Sequence, residues 1–453
     1  MSEKMNNNSN TMKRTISLLS GVGILVGYVI GASIFVTPGT LASTAGPSVW
    51  LAYVIAGLLA FTICFIFSQI GSLCPVSGAI YIFSSLTTTE YGGFLYTLWN
   101  SIIFIFGTPL MAITAATYLQ VFLPDINISI TAMILLVLTF LLNILGNKIS
   151  GSIQTFAIFF LMAIIVVFAF GGILKADWSH FTPAFPYGFE PIWAGVLSCY
   201  YSFTGFNILT EMSGEVKNPN KNLPRIIFLG FAIVMILYVG TCVGMVALVP
   251  ATDLGVGEPM VYAASKVFNG SWFGTALAIA AICGSWTTLN ACFLGLPRSF
   301  YQLGKSGLLP KSFAKLNKYG VPIVSLIAFT IIVAISLIFN KGILFLINMT
   351  SLFFMLIAIL LSIGSLRVKS TMAQEYELAG YKLKGLSYYF WPIITIISTG
   401  YFLIDFLVGD IQTLIMTVIV TILGIFVYNL RKKSLKKQGI DMIENMKNVL
   451  KES

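Results

Sequence analysis

Gly21-Val22-Gly23-Ile24-Leu25-Val26-Gly27-Tyr28-Val29-Ile30-Gly31-Ala32-Ser33-Ile34-Phe35, with Pro38-Gly39 shortly after, is the stretch that decides how this chain is read. It is apolar enough to lie in a membrane, yet glycine recurs throughout, so the middle of the helix is poorly specified. Gly23, Gly27 and Gly31 have the small-xxx-small spacing of close helix packing. The expectation is that Gly23 and Gly27 pack while residues 31–34 are unwound. Unwound backbone at membrane depth is tolerated only where it lines a cavity. Its freed N–H groups, at the positive end of the following half-helix, attract a carboxylate. Its freed carbonyls accept from an ammonium group. A site offering both suits a zwitterion, which an amino acid is.

A second stretch matches the first. Tyr200-Tyr201-Ser202-Phe203-Thr204-Gly205-Phe206-Asn207 puts polar and flexible residues in the middle of another apolar run. Apolar runs at roughly 16–44, 48–71, 94–122, 131–147, 153–174, 190–213, 225–249, 274–303, 322–339, 343–366, 388–407 and 411–430 predict twelve spans of about 20 residues each. The two interrupted spans are the first and sixth, five helices apart. A repeat of that odd length enters the membrane in the opposite sense, and paired interruptions in inverted halves point to a transporter's binding site.

Composition agrees. Of 453 residues, 57% are hydrophobic and 9% charged, and mean hydropathy is +0.92. A soluble chain carries about a quarter charged residues, so a soluble enzyme or nucleic-acid binder is excluded. Of 26 Lys and Arg residues, 23 fall on the side of both termini; Lys175, Lys266 and Lys341 fall on the other. Positive charge flanking spans marks the cytoplasmic side, so both termini are expected in the cytoplasm of a multi-pass plasma-membrane protein. The same rule explains Arg431, Lys432, Lys433, Lys436 and Lys437 without a nucleic-acid partner. The organisation read from sequence is a disordered tail over 1–14, a core of ten helices over 15–366, two further helices over 388–430 and a basic tail over 431–453. Six cysteines show no metal-ligand spacing and His180 is the one histidine, so no metal, cofactor or catalytic triad is expected.

Four stretches resemble the amino acid–polyamine–organocation (APC) transporters. They are Ile30-Gly31-Ala32-Ser33-Ile34-Phe35-Val36; Pro75-Val76-Ser77-Gly78-Ala79-Ile80-Tyr81; Ser202 to Phe206 followed by Glu215-Val216-Lys217-Asn218-Pro219 and Asn222-Leu223-Pro224; and Asn290 to Arg298 ending in Gly307-Leu308-Leu309-Pro310. The resemblance implies an all-α membrane protein with the LeuT-type five-plus-five inverted repeat, discontinuous helices 1 and 6, and alternating-access transport of amino acids or related amines. It puts the substrate carboxylate on backbone N–H groups around Ala32, Ser33 and Ile34. The ammonium group falls to carbonyls near Val29, Ile30, Ser202 and Phe203, and the break continues through Thr204 and Gly205. Phe203 or Phe206 is similar to the family's gating aromatic, with a packed core aromatic as the alternative. Gly107 and Thr108, before Pro109, stand where the family shapes the side-chain pocket.

Some positions depart from the family pattern. Ser33 replaces a glycine, and Asn207 stands where similar arginine/agmatine antiporters carry glutamate. A cationic side chain would want a buried carboxylate, so neutral amino acids are expected over arginine or polyamines. The fifth span has no lysine, with Phe160-Leu161 at that place. Ser285, Thr287 and Thr288 supply hydroxyls of the type sodium takes, with bonding to backbone as the alternative. Uncoupled exchange is the default expectation; sodium or proton coupling is the alternative. Glu211, Glu215, Lys217, Asn218, Arg298 and Lys305 are expected either at an inner gate or as solvated loop charge. The last two spans suit a homodimer contact or a scaffold. A carrier of amines and a non-transporting nutrient sensor are the other readings.

Overall fold

A computed structural model of the chain describes residues 14, 16–31, 33–76, 78–89, 91–145, 147–267, 271–305, 307–338, 343–409 and 411–437. The tails over 1–13 and 438–453, and Ala32 of the candidate site, lie outside them. The described residues form helices, joined by turns and one isolated parallel bridge between Ile16 and Val216.

The first apolar run is two helices, α1 (Leu18–Val29) and α2 (Ser33–Ala45), bent by 43° at the break. Then come α3 (Val49–Leu73), the short α4 (Ala79–Thr87), α5 (Gly92–Leu119), α6 (Ile128–Ile144) and α7 (Asn147–Leu174). The sixth run gives α8 (Glu190–Ser202), an irregular stretch, and the single turn α9 (Ile208–Glu211). The rest is α10 (Pro219–Leu248), α11 (Pro259–Val267), α12 (Ser271–Lys305), α13 (Ile323–Ile338), α14 (Ile343–Thr371), α15 (Ala373–Leu378), α16 (Leu386–Gly409) and α17 (Ile411–Lys437).

Eight of these helices are long and apolar enough to cross a membrane, and the bent α1–α2 pair makes a ninth. The chain is therefore an all-helical, multi-pass membrane protein. The other three expected spans correspond to shorter elements: α6 with 17 residues, α13 with 16, and the α8–α9 segment. Large apolar side chains on the outer surface, among them Phe159, Phe170, Ile397, Ile404, Ile415 and Ile422, are 53–66% exposed. Such a belt suits lipid rather than water. α16 and α17 carry much of it and sit at the periphery.

Local sequence explains where the helices stop and start. Ser17 caps α1 by accepting from the Ser20 N–H at 3.2 Å, and Asn127 caps α6 by accepting from Ile130 at 3.1 Å. α1 ends at Val29 with Ile30 as the residue that caps it, and the Gly31 N–H turns back onto Val29 O at 2.8 Å. Ser33 and Ile34 already belong to α2, so the expectation of unwinding over 31–34 is corrected: the described residues of the break are Ile30 and Gly31. The break falls at the glycine, where helix is least favoured, and Pro38 is accommodated inside α2.

The two glycines expected to pack behave differently. A Cβ on Gly27 would sit 2.3 Å from Ile158 of α7, so bare backbone is what lets α1 approach that helix. Gly23 has open space beside it, which corrects its assignment as a packing residue.

Candidate functional site

The two breaks meet at one hydroxyl group. Tyr238, buried on α10, donates to Val29 O at 2.8 Å and to Ser202 O at 2.9 Å, the carbonyls at the ends of α1 and α8. In the second break the N–H groups of Phe203 and Thr204 bond back to Tyr200 O and Tyr201 O at 3.0 Å, and Thr204 Oγ1 adds 2.8 Å to Tyr201 O. Gly205 then takes φ +112°, which side chains of L-residues disfavour.

A small cavity of about 50 Å³ lies between the breaks, with room for a few waters. Among its lining residues, Val29, Gly31, Ser33, Gly107, Thr204, Gly205, Asn207 and Thr288 were legible in the sequence. Gly31 and Ser33 present the N-terminus of α2, whose first-turn N–H groups have no acceptor within the helix. That is the geometry expected for a carboxylate.

Other candidates fall elsewhere. Ile30 and Ile34 are fully buried in the core. Thr108 turns its hydroxyl onto Phe104 O at 2.5 Å. Phe203 packs among Tyr53, Phe231 and Tyr238, with ring centroids 5.2–6.4 Å apart, and Phe206 packs on Phe231 at 5.7 Å. Neither aromatic lines the cavity in this conformation, so the packed-core alternative describes their position here. Ser202 gives its carbonyl to Tyr238, while its hydroxyl lies 3.4 Å from Tyr53 Oη. Val29 O, expected to receive the ammonium, already accepts from Tyr238 and Gly31.

The hydroxyls of the eighth span divide in the same way. Ser285 bonds Ala281 O at 2.8 Å and Thr287 bonds Gly284 O at 2.9 Å, both within α12. Thr288 reaches Tyr28 O across the break at 3.3 Å. On α7, Ile158 lies against Gly27 of α1 and Leu161 against Gly284 of α12.

Tyr28, Asn100, Ile103, Phe104, Met111, Tyr201, Cys292, Thr350 and Phe354 complete the lining, and the sequence did not single them out. One signal was available: Asn100, Ile103, Phe104, Gly107 and Met111 stand at i, i+3, i+4, i+7 and i+11, one face of α5. Asn100 is 3% exposed and its Oδ1 lacks a protein partner. Among the lining residues there is no Asp, Glu, Lys or Arg; the polar groups are amides, hydroxyls and backbone.

The segments flanking the two breaks are tied to each other. Ile16 N bonds Glu215 O and Lys217 N bonds Ile16 O, both at 2.9 Å, joining the segment before α1 to the segment after α9. Arg298 Nη1 pairs with Glu215 Oε1 at 2.9 Å. Asn218 caps α10 with φ +49°, and Lys305 lies 5.0 Å from the Tyr301 ring. Of the polar residues expected either at a gate or as loop charge, Glu215 and Arg298 form an ion pair.

A family model described as amino acid permease matches residues 16–433. The chain belongs to the amino acid permease family. The permease is 28% identical over 330 residues to the methylthioribose transporter of Bacillus subtilis (strain 168), covering 68% of this chain and 71% of that one. It is 25% identical over 339 residues to the branched-chain amino acid permease BcaP of the same organism, covering 70% and 72%. It is also 30% identical over 361 residues to the vacuolar cationic amino acid transporter 4 of Arabidopsis thaliana, covering 73% and 59%. Its relatives are transporters rather than enzymes. The resemblance to APC transporters is thereby established, and with it amino acid transport across a membrane. The permease's relatives differ in what their names say they carry, so its substrate has to be argued from its own cavity.

Proposed function

We propose that the permease takes up or exchanges neutral L-amino acids across the plasma membrane by alternating access. The observation that carries this reading is the cavity between two broken helices, lined by the α2 N-terminus and uncharged polar groups. The N–H groups at Ser33 and Ile34 take the carboxylate. The ammonium group competes with Tyr238 for the carbonyls of Val29 and Ser202. Asn100, Asn207, Thr204 and Thr350 surround the side chain. Several relatives are named for cationic amino acids, but a cationic side chain would meet no counter-charge among the lining residues, and an unpaired buried charge is costly. A five-plus-five inverted repeat with twelve spans fits the helix order, with α6, α13 and α8–α9 as the short spans. Both termini then lie in the cytoplasm, and the conformation is closed on the cytoplasmic side by Glu215 and Arg298. A sodium site has support from Thr288 alone of its three candidate hydroxyls.

The test is uptake into proteoliposomes of externally supplied labelled amino acids of every class, arginine and lysine included, with and without unlabelled amino acid inside. Uptake of neutral residues above empty vesicles is expected; uptake confined to cationic ones would overturn the specificity. Cys292 lines the cavity, and the other five cysteines do not. In a variant keeping only Cys292, a transported amino acid should protect it from maleimide labelling. The same assay reads the gate. Arg298→Gln leaves the Glu215 carboxylate without its partner. For a pair 16–30% exposed the loss is about 1 kcal/mol, roughly fivefold in the closed population. Labelling of Cys292 from the Arg298 side should rise by about that factor; an unchanged rate would remove this pair from the gate.

A further inference from the structure

Beside the tied segments stands a second acid that the substrate site does not use. Glu211 ends the single turn α9, its N–H bonded to Asn207 O at 3.0 Å, so it stands one turn from a cavity-lining residue. Its carboxylate accepts a hydrogen bond from the Tyr96 hydroxyl. Tyr96 is 2% exposed and stands four residues before Asn100, again one turn from the lining. Tyr96 and Glu211 thus form the layer next to the cavity, tying the long α5 to the half-helix after the break. The neighbouring acid, Glu215, has Arg298; among the described residues no cation pairs with Glu211.

We propose that the Glu211 carboxyl is a proton-binding site that couples substrate movement to a proton; this rests on the transport reading above. An ionisable side chain at membrane depth without a counter-charge is typical of a proton relay. The uncharged titratable side chains on the elements around α9 are Tyr96 of α5, which bonds Glu211, Tyr28 of α1, Tyr53 and Cys64 of α3 with Cys74 at its end, Tyr81 of α4, and Tyr238 and Cys242 of α10. All are neutral near pH 7 by their ordinary values. The charged residues of α10, Lys221 and Arg225, are exposed.

In the ionised state Tyr96 donates to a carboxylate, and such charge-assisted bonds are about twice as strong as neutral ones. This holds α9 against α5 and keeps the end shut. One Glu211 oxygen then takes a proton delivered from water, giving a neutral carboxylic acid. Its bond to Tyr96 weakens and α9 is freed to move. Release of the proton on the far side of the cycle restores the carboxylate. A coupled proton would replace the uncoupled exchange expected from sequence.

Two measurements on the reconstituted full-length protein test this. pH-difference infrared spectra should contain a protonated-carboxyl band that titrates, is lost in Glu211→Gln and returns in Glu211→Asp. In proteoliposomes containing a pH-sensitive dye, amino acid uptake should carry protons inward, and an acidic exterior should drive accumulation. Glu211→Gln should lose at least tenfold of the proton flux and accumulation while substrate-for-substrate exchange persists at a reduced rate. Wild-type uptake without proton movement, proton flux retained in Glu211→Gln, or a band unaltered in that variant would overturn the proposal. A titrating, Glu211-dependent band in a protein that moves no amino acid supports the proton site and overturns the substrate reading instead.

Discussion

Gly205→Ala is expected to lower the initial rate of amino acid uptake at least about 100-fold while leaving membrane insertion and yield close to wild type. Two independent effects act at this position. The backbone is held at φ +112°, where an L-residue costs about 1–3 kcal/mol. A Cβ there would lie 2.7 Å from Cδ1 and Cε1 of Tyr28, so that ring must move, and it lines a cavity of only about 50 Å³. Backbone strain of this size with a displaced cavity wall amounts to about 2.7 kcal/mol or more, and each 1.4 kcal/mol is tenfold. Gly23→Ala is the control: it sits in an apolar helix with nothing within 4 Å of its Cβ position, and should transport within about twofold of wild type. Rates measured in proteoliposomes at matched protein content decide it. If Gly205→Ala transports as well as Gly23→Ala, the second break is not where substrate is handled.

Tyr238→Phe should reduce uptake by about 10- to 100-fold, although it removes one oxygen atom and no packing volume. The lost hydroxyl bridges Val29 O and Ser202 O. Val29 O keeps the Gly31 N–H, but Ser202 O loses its donor, and leaving a buried polar group unsatisfied costs about 1–3 kcal/mol. The two helix ends also lose the tie that sets their distance. The same change at Tyr53, whose hydroxyl makes only a long 3.4 Å contact with Ser202 Oγ, should have a clearly smaller effect. Equal and mild losses in both variants would assign the hydroxyl of Tyr238 to general stability rather than to positioning the breaks.

The candidate site was partly legible because helix breaks are local events. Gly31 and Gly205 could be found from composition alone: a glycine amid apolar residues weakens a helix wherever it occurs, whatever lies opposite. Gly107 was equally visible, and the α5 face it belongs to could have been counted back to Asn100. Phe203 was not assignable in the same way. A phenylalanine beside a break is as favourable against Tyr53, Phe231 and Tyr238 as at a cavity, and only its neighbours distinguish the two. Thr287 and Thr288 are adjacent in sequence, yet one hydroxyl returns to its own helix and the other crosses to Tyr28. Glu211 read equally as an inner-gate acid or as solvated loop charge, because the short α9 carries too few residues to announce itself as helix.

By itself the sequence determined that this is a multi-pass helical membrane protein and that its first and sixth apolar runs are interrupted. These follow from the length, polarity and backbone freedom of single segments, and each segment expresses them without reference to the others. Only the tertiary structure decided that Tyr238 joins the two breaks, that Asn100 enters the cavity, that Gly27 packs where Gly23 does not, and that Tyr96 meets Glu211. Those pairings depend on how each helix is rotated about its axis. A helix apolar on nearly every face carries little polar asymmetry to specify that angle, so it is set by the shapes of the side chains it meets.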